Sequence, residues 1–406
     1  MLHATEFLTG CHERGFRFIS GTPCSYLKPL INAAIDDGRF VFRDAVNEGD
    51  AVAMGAGAVL GGAQAMVMFQ NSGLGNAVNA LTSLCRPFRV PVLLIVTHRG
   101  EPGGEQDEPQ HEQMGRITTG LLDTMEIPWA RFPAATADVA GVLDRAVAEM
   151  REHGRPFALV MSKDAVAPHP LATRAAPGAT GERTLHFTER WSRGMAERMT
   201  RTEALQLVRA TRRPGEALVA TTGYTGRELY ALGDDPWNLY VVGSMGSASA
   251  LGLGLALQQP GRPVTVIDGD GALLMRMGNL ATLGAYAPPT LRHVVLDNEA
   301  HDSTGGQSTV SGGVSFGALA QACGYRRVVA IDDPGELASL LRAPQGETES
   351  PGARETGPEF FHVRIKPGAP EKLPRPRVTP AEVFRRLQGW LQPQPPPGNG
   401  VPGLPG

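Results

Sequence analysis

Cysteine is scarce in this 406-residue chain: Cys11, Cys24, Cys85 and Cys323 are the only four, and they lie far apart. That spacing excludes a paired zinc or dithiol motif and fits a reducing compartment. No segment approaches the ~20 uncharged apolar residues of a membrane-spanning helix. The N-terminus carries Glu6, His12, Glu13 and Arg14 where a signal peptide would be apolar. A cytoplasmic protein without membrane association is expected. Charge of one sign is lacking as well, since 38 basic against 41 acidic residues leave a net charge of −3. Without a long basic run, nucleic acid is not an expected partner, whereas a small anionic metabolite remains compatible.

What the chain does have is length and rhythm. At 406 residues it exceeds the size at which a single core stops growing, so two domains are expected. Short apolar runs bounded by glycine alternate with longer Ala/Leu-rich segments, the pattern of an α/β protein whose parallel strands are flanked by helices. Strands are predicted over 16–20, 40–46, 66–70, 90–97 and 157–162 in the first half. In the second they fall over 216–221, 238–242, 263–267, 292–296, 326–331 and 360–365. The reading is a first domain over 1–167, a Pro/Gly/Thr/Arg-rich linker over 168–200, a second domain over 201–392 and a disordered Pro/Gly tail over 393–406. Residues 343–358, rich in Gly, Pro, Glu and Thr, are expected to form a surface excursion.

The most informative stretch lies in the second half. A predicted strand runs into Asp268-Gly269-Asp270-Gly271, and the next ends at Asp297-Asn298. Neighbouring parallel strands finish on one sheet edge, so Asp270 and Asn298 can converge across a crossover helix. A carboxylate and an amide oxygen are hard ligands suited to magnesium, and the two glycines allow a tight turn and close approach to phosphate. Alone, such a string also suits an ordinary turn. Gly269-Asp270-Gly271 followed by Asn298 resembles the signature of thiamin-diphosphate-dependent enzymes. The resemblance implies that Asp270, Asn298 and the backbone carbonyl of Ala300 ligate Mg2+.

Three other segments extend the resemblance. In Asp44-Ala45-Val46-Asn47-Glu48-Gly49, Glu48 stands where a strand gives way to an Ala/Gly-rich helix. By resemblance it bonds the pyrimidine ring nitrogen of the cofactor, an acid–base role tuned by burial; by position alone it would suit a helix N-terminus. In Gly243-Ser244-Met245-Gly246, the resemblance makes Met245 the wedge beneath the cofactor and the Gly243 carbonyl an acceptor from its amino group, although methionine also fills cores. Gly246, Thr222 and Gly223 are implied near the diphosphate. Asn71-Ser72-Gly73-Leu74-Gly75-Asn76 resembles the glycine-rich loop of the pyrimidine side, through Gly73 and Gly75. Its spacing is not Gly-x-Gly-x-x-Gly, and that disfavours a dehydrogenase.

Together with residues 20–29, 221–230 and 297–307, these segments look like the phosphonopyruvate and sulfopyruvate decarboxylases, within the thiamin-diphosphate-dependent 2-oxo-acid decarboxylases, up to about residue 392. No middle domain is evident, unlike the longer pyruvate decarboxylase and acetolactate synthase architectures. The implied reaction is non-oxidative decarboxylation of 3-phosphonopyruvate to phosphonoacetaldehyde and CO2 through a thiamin diphosphate ylid, in phosphonate biosynthesis, with sulfopyruvate as the alternative substrate. His301, beside the metal motif, is the candidate for proton delivery or diphosphate contact. Ser25, Lys28, His98, Arg99 and His111 are candidates for the anionic 2-oxo acid, and Cys24 stands where many relatives are expected to carry aspartate. With the motifs split between the halves, the resemblance implies a homodimer or larger, with each cofactor between subunits. A catalytically silent partner subunit would be expected to lack Glu48 or the metal ligands, and a nucleotide-binding module would take a nucleotide instead.

Overall fold

A computed structural model describes residues 1–173, 187–286, 288–343 and 357–392. The predicted tail and nearly all of the 343–358 excursion lie outside the described residues. The first sheet contains β1 (Phe16–Gly21), β2 (Val41–Asp44), β3 (Gln64–Phe69), β4 (Val92–Thr97), β5 (Trp129–Arg131) and β6 (Phe157–Met161), in the order β2-β1-β3-β4-β6-β5. The second contains β7 (Thr188–Arg190), β8 (Ala217–Ala220), β9 (Asn238–Tyr240), β10 (Val264–Gly269) and β11 (Leu291–Asp297), followed after the small pair β12 (Ala300–His301) and β13 (Gln307–Ser308) by β14 (Arg327–Ile331) and β15 (Glu359–Arg364). Its order is β7-β14-β15-β11-β10-β8-β9. Pairing within both large sheets is parallel.

Strands β1, β3, β4 and β6 are almost wholly buried, as expected of strands covered on both faces. β5 escapes sequence reading because it has three residues, two partly buried and one exposed, and so no apolar run. The stretch read as a linker over 168–200, of which 174–186 lie outside the described residues, contains β7, which pairs with β14 and extends the second sheet by one edge strand. Three residues beside a Pro/Gly-rich segment give no periodic signal.

The two sheets share one plan. Renumbering β8, β9, β10, β11, β14 and β15 as first to sixth reproduces the order 2-1-3-4-6-5 of the first sheet. Each second strand leads into a glycine- and alanine-rich helix buried along nearly its whole length, Glu48–Leu60 in the first half and Ala248–Gln258 in the second. These helices cross in contact. A β-carbon on Gly57 would lie 1.9 Å from the Leu251 carbonyl oxygen, and one on Gly254 would lie 1.9 Å from that of Met54. Only glycine permits that approach, which merges the inner faces of the two halves into one core.

Candidate active site

Register decides which loops meet. Gly269 of β10 pairs with Leu296 of β11, so Asp270 and Asp297-Asn298 leave the sheet side by side. Ala220 of β8 pairs with both Ile267 and Tyr240, which brings residues 221–223 and 241–246 to the same edge. This edge spans the point where strand order reverses, the usual crevice for ligands in open α/β sheets. A cleft there is lined by Thr222, Gly223, Met245, Gly269, Asp270, Gly271, Asn298, Ala300 and His301, all anticipated from sequence. Arg201, Tyr224, Asp302 and Ser303, which were not anticipated, complete much of its wall.

Backbone strain shapes the cleft. Ser244 and Glu299 adopt left-handed φ values of 52° and 58°, uncommon for residues with a side chain. The first turn presents Met245, and the second sits between Asn298 and Ala300 so that both line one cleft. Gly223 has φ 89° and opens the Tyr224–Leu232 helix towards the same space. A β-carbon on Gly271 would lie 2.7 Å from the His301 ring and 3.1 Å from the Met245 methyl, so glycine there allows both side chains to close over it.

Asp270 is buried and accepts from Thr309 Oγ1 at 2.5 Å. Burial pushes its carboxyl pKa up, the Thr309 bond opposes that, and the nearby Asp297 charge adds to it. No Lys, Arg or His among the described residues forms an ion pair with it, although other buried carboxylates here do have such partners, as Asp268 with His293 and Asp297 with His362. A buried carboxylate lacking a countercharge, beside the Asn298 amide and two glycines, fits an oxygen-seeking divalent cation.

The edge of the first sheet is built differently. Glu48 opens its helix behind Asn47, whose side chain caps Gly49 N at 2.8 Å. Its Oε1 accepts from Thr22 Oγ1 at 3.0 Å and its Oε2 from Asn76 Nδ2 at 2.8 Å, both neutral donors. The residue is half-buried in the single chain, not fully enclosed. Gly73 proves to be its backstop, because a β-carbon there would lie 2.4 Å from the Glu48 carboxyl. Gly75 has open space on its β-carbon side. Gly243 packs against Ser83, and Gly246 against Arg276 and the Ala272 carbonyl. Arg276 reaches across to the Asn47 side chain and lies 3.7 Å from buried Asp50, joining the two halves.

The substrate candidates separate. Arg99 is held bidentately by Asp107 at 2.7 and 2.5 Å, lies over the Tyr26 ring at 4.8 Å, and offers Nη1 to Ser25 Oγ at 3.3 Å. The hydrogen bonds from Arg99 hold the Asp107 carboxyl well below the usual range. Lys28 is exposed at the first turn of its helix. His98 and His111 are both buried, and His98 Nε2 lies 2.9 Å from the Gly115 carbonyl. Cys24 is buried, with Sγ 3.4 Å from Gln70 Oε1.

Residues 228–352 match the family described as thiamine pyrophosphate enzyme, C-terminal TPP binding domain. The chain also has the fold of benzoylformate decarboxylase from Polynucleobacter necessarius, with a TM-score of 0.67 at 12% identity, covering 90% of this chain and 99% of that one. Fold and matched domain thus define a thiamin-diphosphate-dependent enzyme. Over 402 residues the chain is 43% identical to phosphonopyruvate decarboxylase of Streptomyces viridochromogenes, covering 99% of this chain and 98% of that protein. A sulfopyruvate decarboxylase of Methanosarcina acetivorans is 29% identical over 387 residues, 93% of this chain and 95% of that protein. The chain belongs to the phosphonopyruvate decarboxylase family of thiamin-diphosphate-dependent decarboxylases.

Proposed function

We propose that this protein decarboxylates 3-phosphonopyruvate to phosphonoacetaldehyde and CO2, a step of phosphonate biosynthesis, with Mg2+ anchoring thiamin diphosphate. The observation carrying the metal assignment is the buried Asp270 carboxylate without a countercharge among the described residues. Asp270, Asn298 and the Ala300 carbonyl hold the cation, while Thr222, Gly223, Gly269 and Gly271 line the space for the diphosphate. Thiamin diphosphate, when bound, supplies the carbon nucleophile and the electron sink for the pair left by CO2.

The protein's own groups position and move protons. Glu48, clasped by Thr22 and Asn76 and backed by Gly73, exchanges a proton with the pyrimidine ring nitrogen. Met245, its turn framed by Gly243 and Gly246, would pack against the bound cofactor from the cleft wall. His301, over Gly271, is the proton donor to the product carbon. Arg99 and Ser25, a cation preset by Asp107 beside a hydroxyl, anchor the phosphonate. Lys28 adds a mobile charge at the rim.

Among the described residues, the cleft is lined by those between Arg201 and Ser303, and Glu48 is not one of them. Val46, Val242 and Met275, beside the three motifs, are exposed by 56, 47 and 56%. Both observations support a homodimer in which a second copy completes each site. Mixing inactive Glu48→Gln and Asp270→Ala chains then restores activity, because one heterodimer site receives both intact residues; a mixture that stays inactive contradicts shared sites. For the substrate, turnover of phosphonopyruvate, sulfopyruvate and pyruvate is compared side by side. Preference for phosphonopyruvate is expected, and a higher kcat/KM for sulfopyruvate would replace that assignment.

A further inference from the structure

Among the cleft residues that the motifs did not announce, Asp302 stands closest to the metal chemistry. Asn298 Nδ2 donates to Asp302 Oδ2 at 2.7 Å. An ionised carboxylate only accepts hydrogen bonds, whereas an amide has a donating and an accepting end. The bond therefore fixes which end of the Asn298 amide faces Asp302 and turns Oδ1 to the opposite side.

Asp302 is itself immobilised. The same Oδ2 accepts from Arg201 Nη2 at 2.6 Å and from Gly368 N at 3.1 Å. Arg201 is buried, and its other nitrogen donates to buried Glu228 Oε1 at 2.8 Å. Glu228 Oε2 accepts in turn from Thr202 Oγ1 at 2.6 Å. Asn298 thus sits at the end of a chain of charge-assisted bonds that starts in two helices and ends at the cation site.

We infer that Asp302, held by Arg201, is the positioning residue that orients the Asn298 amide oxygen towards the metal. This rests on the reading of Asp270 and Asn298 as metal ligands. Without the carboxylate the amide can turn its NH2 end to the cation, which repels it. Oriented ligands of this kind lose about 10–100-fold in metal affinity when the outer partner is removed.

The test titrates Mn2+, as an EPR-visible substitute for Mg2+, into full-length protein saturated with thiamin diphosphate. Wild type is compared with Asp302→Ala, Asp302→Asn, Asn298→Ala and the Asn298→Ala/Asp302→Ala double variant, with thermal unfolding of each cofactor-free protein recorded in parallel. Asp302→Ala weakens Mn2+ binding about 10–100-fold, while Asp302→Asn keeps most of the affinity because its amide oxygen still accepts from Asn298. Once Asn298 is gone, removing Asp302 costs nothing more. Equal affinity of Asp302→Ala and wild type, an Asp302→Asn as weak as Asp302→Ala, or additive losses in the double variant would each overturn the inference. Should Asp302→Ala not fold, Asp302→Asn against wild type decides. A wild type that binds no Mn2+ removes the metal reading itself, and that outcome is distinct from the others.

Discussion

The leading edges of the two sheets are laid out alike, with β1 to β4 matched by β8 to β11, yet they carry opposite kinds of chemistry. After its first strand each half places a threonine, Thr22 or Thr222. After the second come Glu48 and Met245, after the third Gly73 and Asp270, and after the fourth Arg99 and Asn298. In the second half these positions line a cleft around a buried carboxylate that pairs with no Lys, Arg or His among the described residues. In the first they form a carboxylate gripped by neutral donors and an arginine held in place by Asp107. Under the proposed function, a common scaffold would offer one edge for a cation with its diphosphate and the other for proton exchange.

That division is open to attack, most strongly at Glu48. Glu48→Gln is expected to slow CO2 release by about 10²–10⁴-fold while the Mn2+ affinity of the second half stays near wild type; an unchanged rate would remove the first edge from the chemistry. Gly73→Ala pushes the Glu48 carboxyl aside and is expected to lower kcat about 100-fold, with little change in thermal stability, since the displaced group is a side-chain end. Gly57→Ala attacks the crossing that holds the edges together. It forces a β-carbon against the Leu251 carbonyl and should cost about 1–3 kcal/mol in denaturant unfolding.

The smallest expected effect separates the edges by pH. Burial raises the Asp50 carboxyl to about 6 in the folded chain, with Arg276 opposing and Glu48 adding to the shift. The folded state therefore holds a proton that the unfolded state has released, and stability falls as pH rises through 6. Asp50→Asn should remove about 1 kcal/mol of that decline between pH 5 and pH 8 in denaturant titrations. An unchanged pH profile would show that Asp50 is not the source.

Most of the second edge was legible in the sequence because its groups sit within a few residues of strand ends, where a linear motif reports a local turn. Asp270, Asn298 and Met245 needed only strand register to converge. The first edge was legible in part. Glu48 followed from its strand-to-helix position, but Thr22 and Asn76, its two donors, are 26 and 28 positions away and come together only through sheet order. Gly73 was read as a cofactor contact, and only the packing shows it against Glu48. Arg201 and Asp302, 101 positions apart, left no trace in local pattern. His98 and His111 were read from residue type alone, and only the structure shows that both are buried, with His98 Nε2 at the Gly115 carbonyl.

Reconstitution tests the whole account most directly. Protein stripped of cofactor and metal is given phosphonopyruvate, and CO2 is measured after adding thiamin diphosphate, Mg2+ or both. The account predicts release only with both present, and its abolition by a chelator. Release without thiamin diphosphate, or none with the full set, would contradict it.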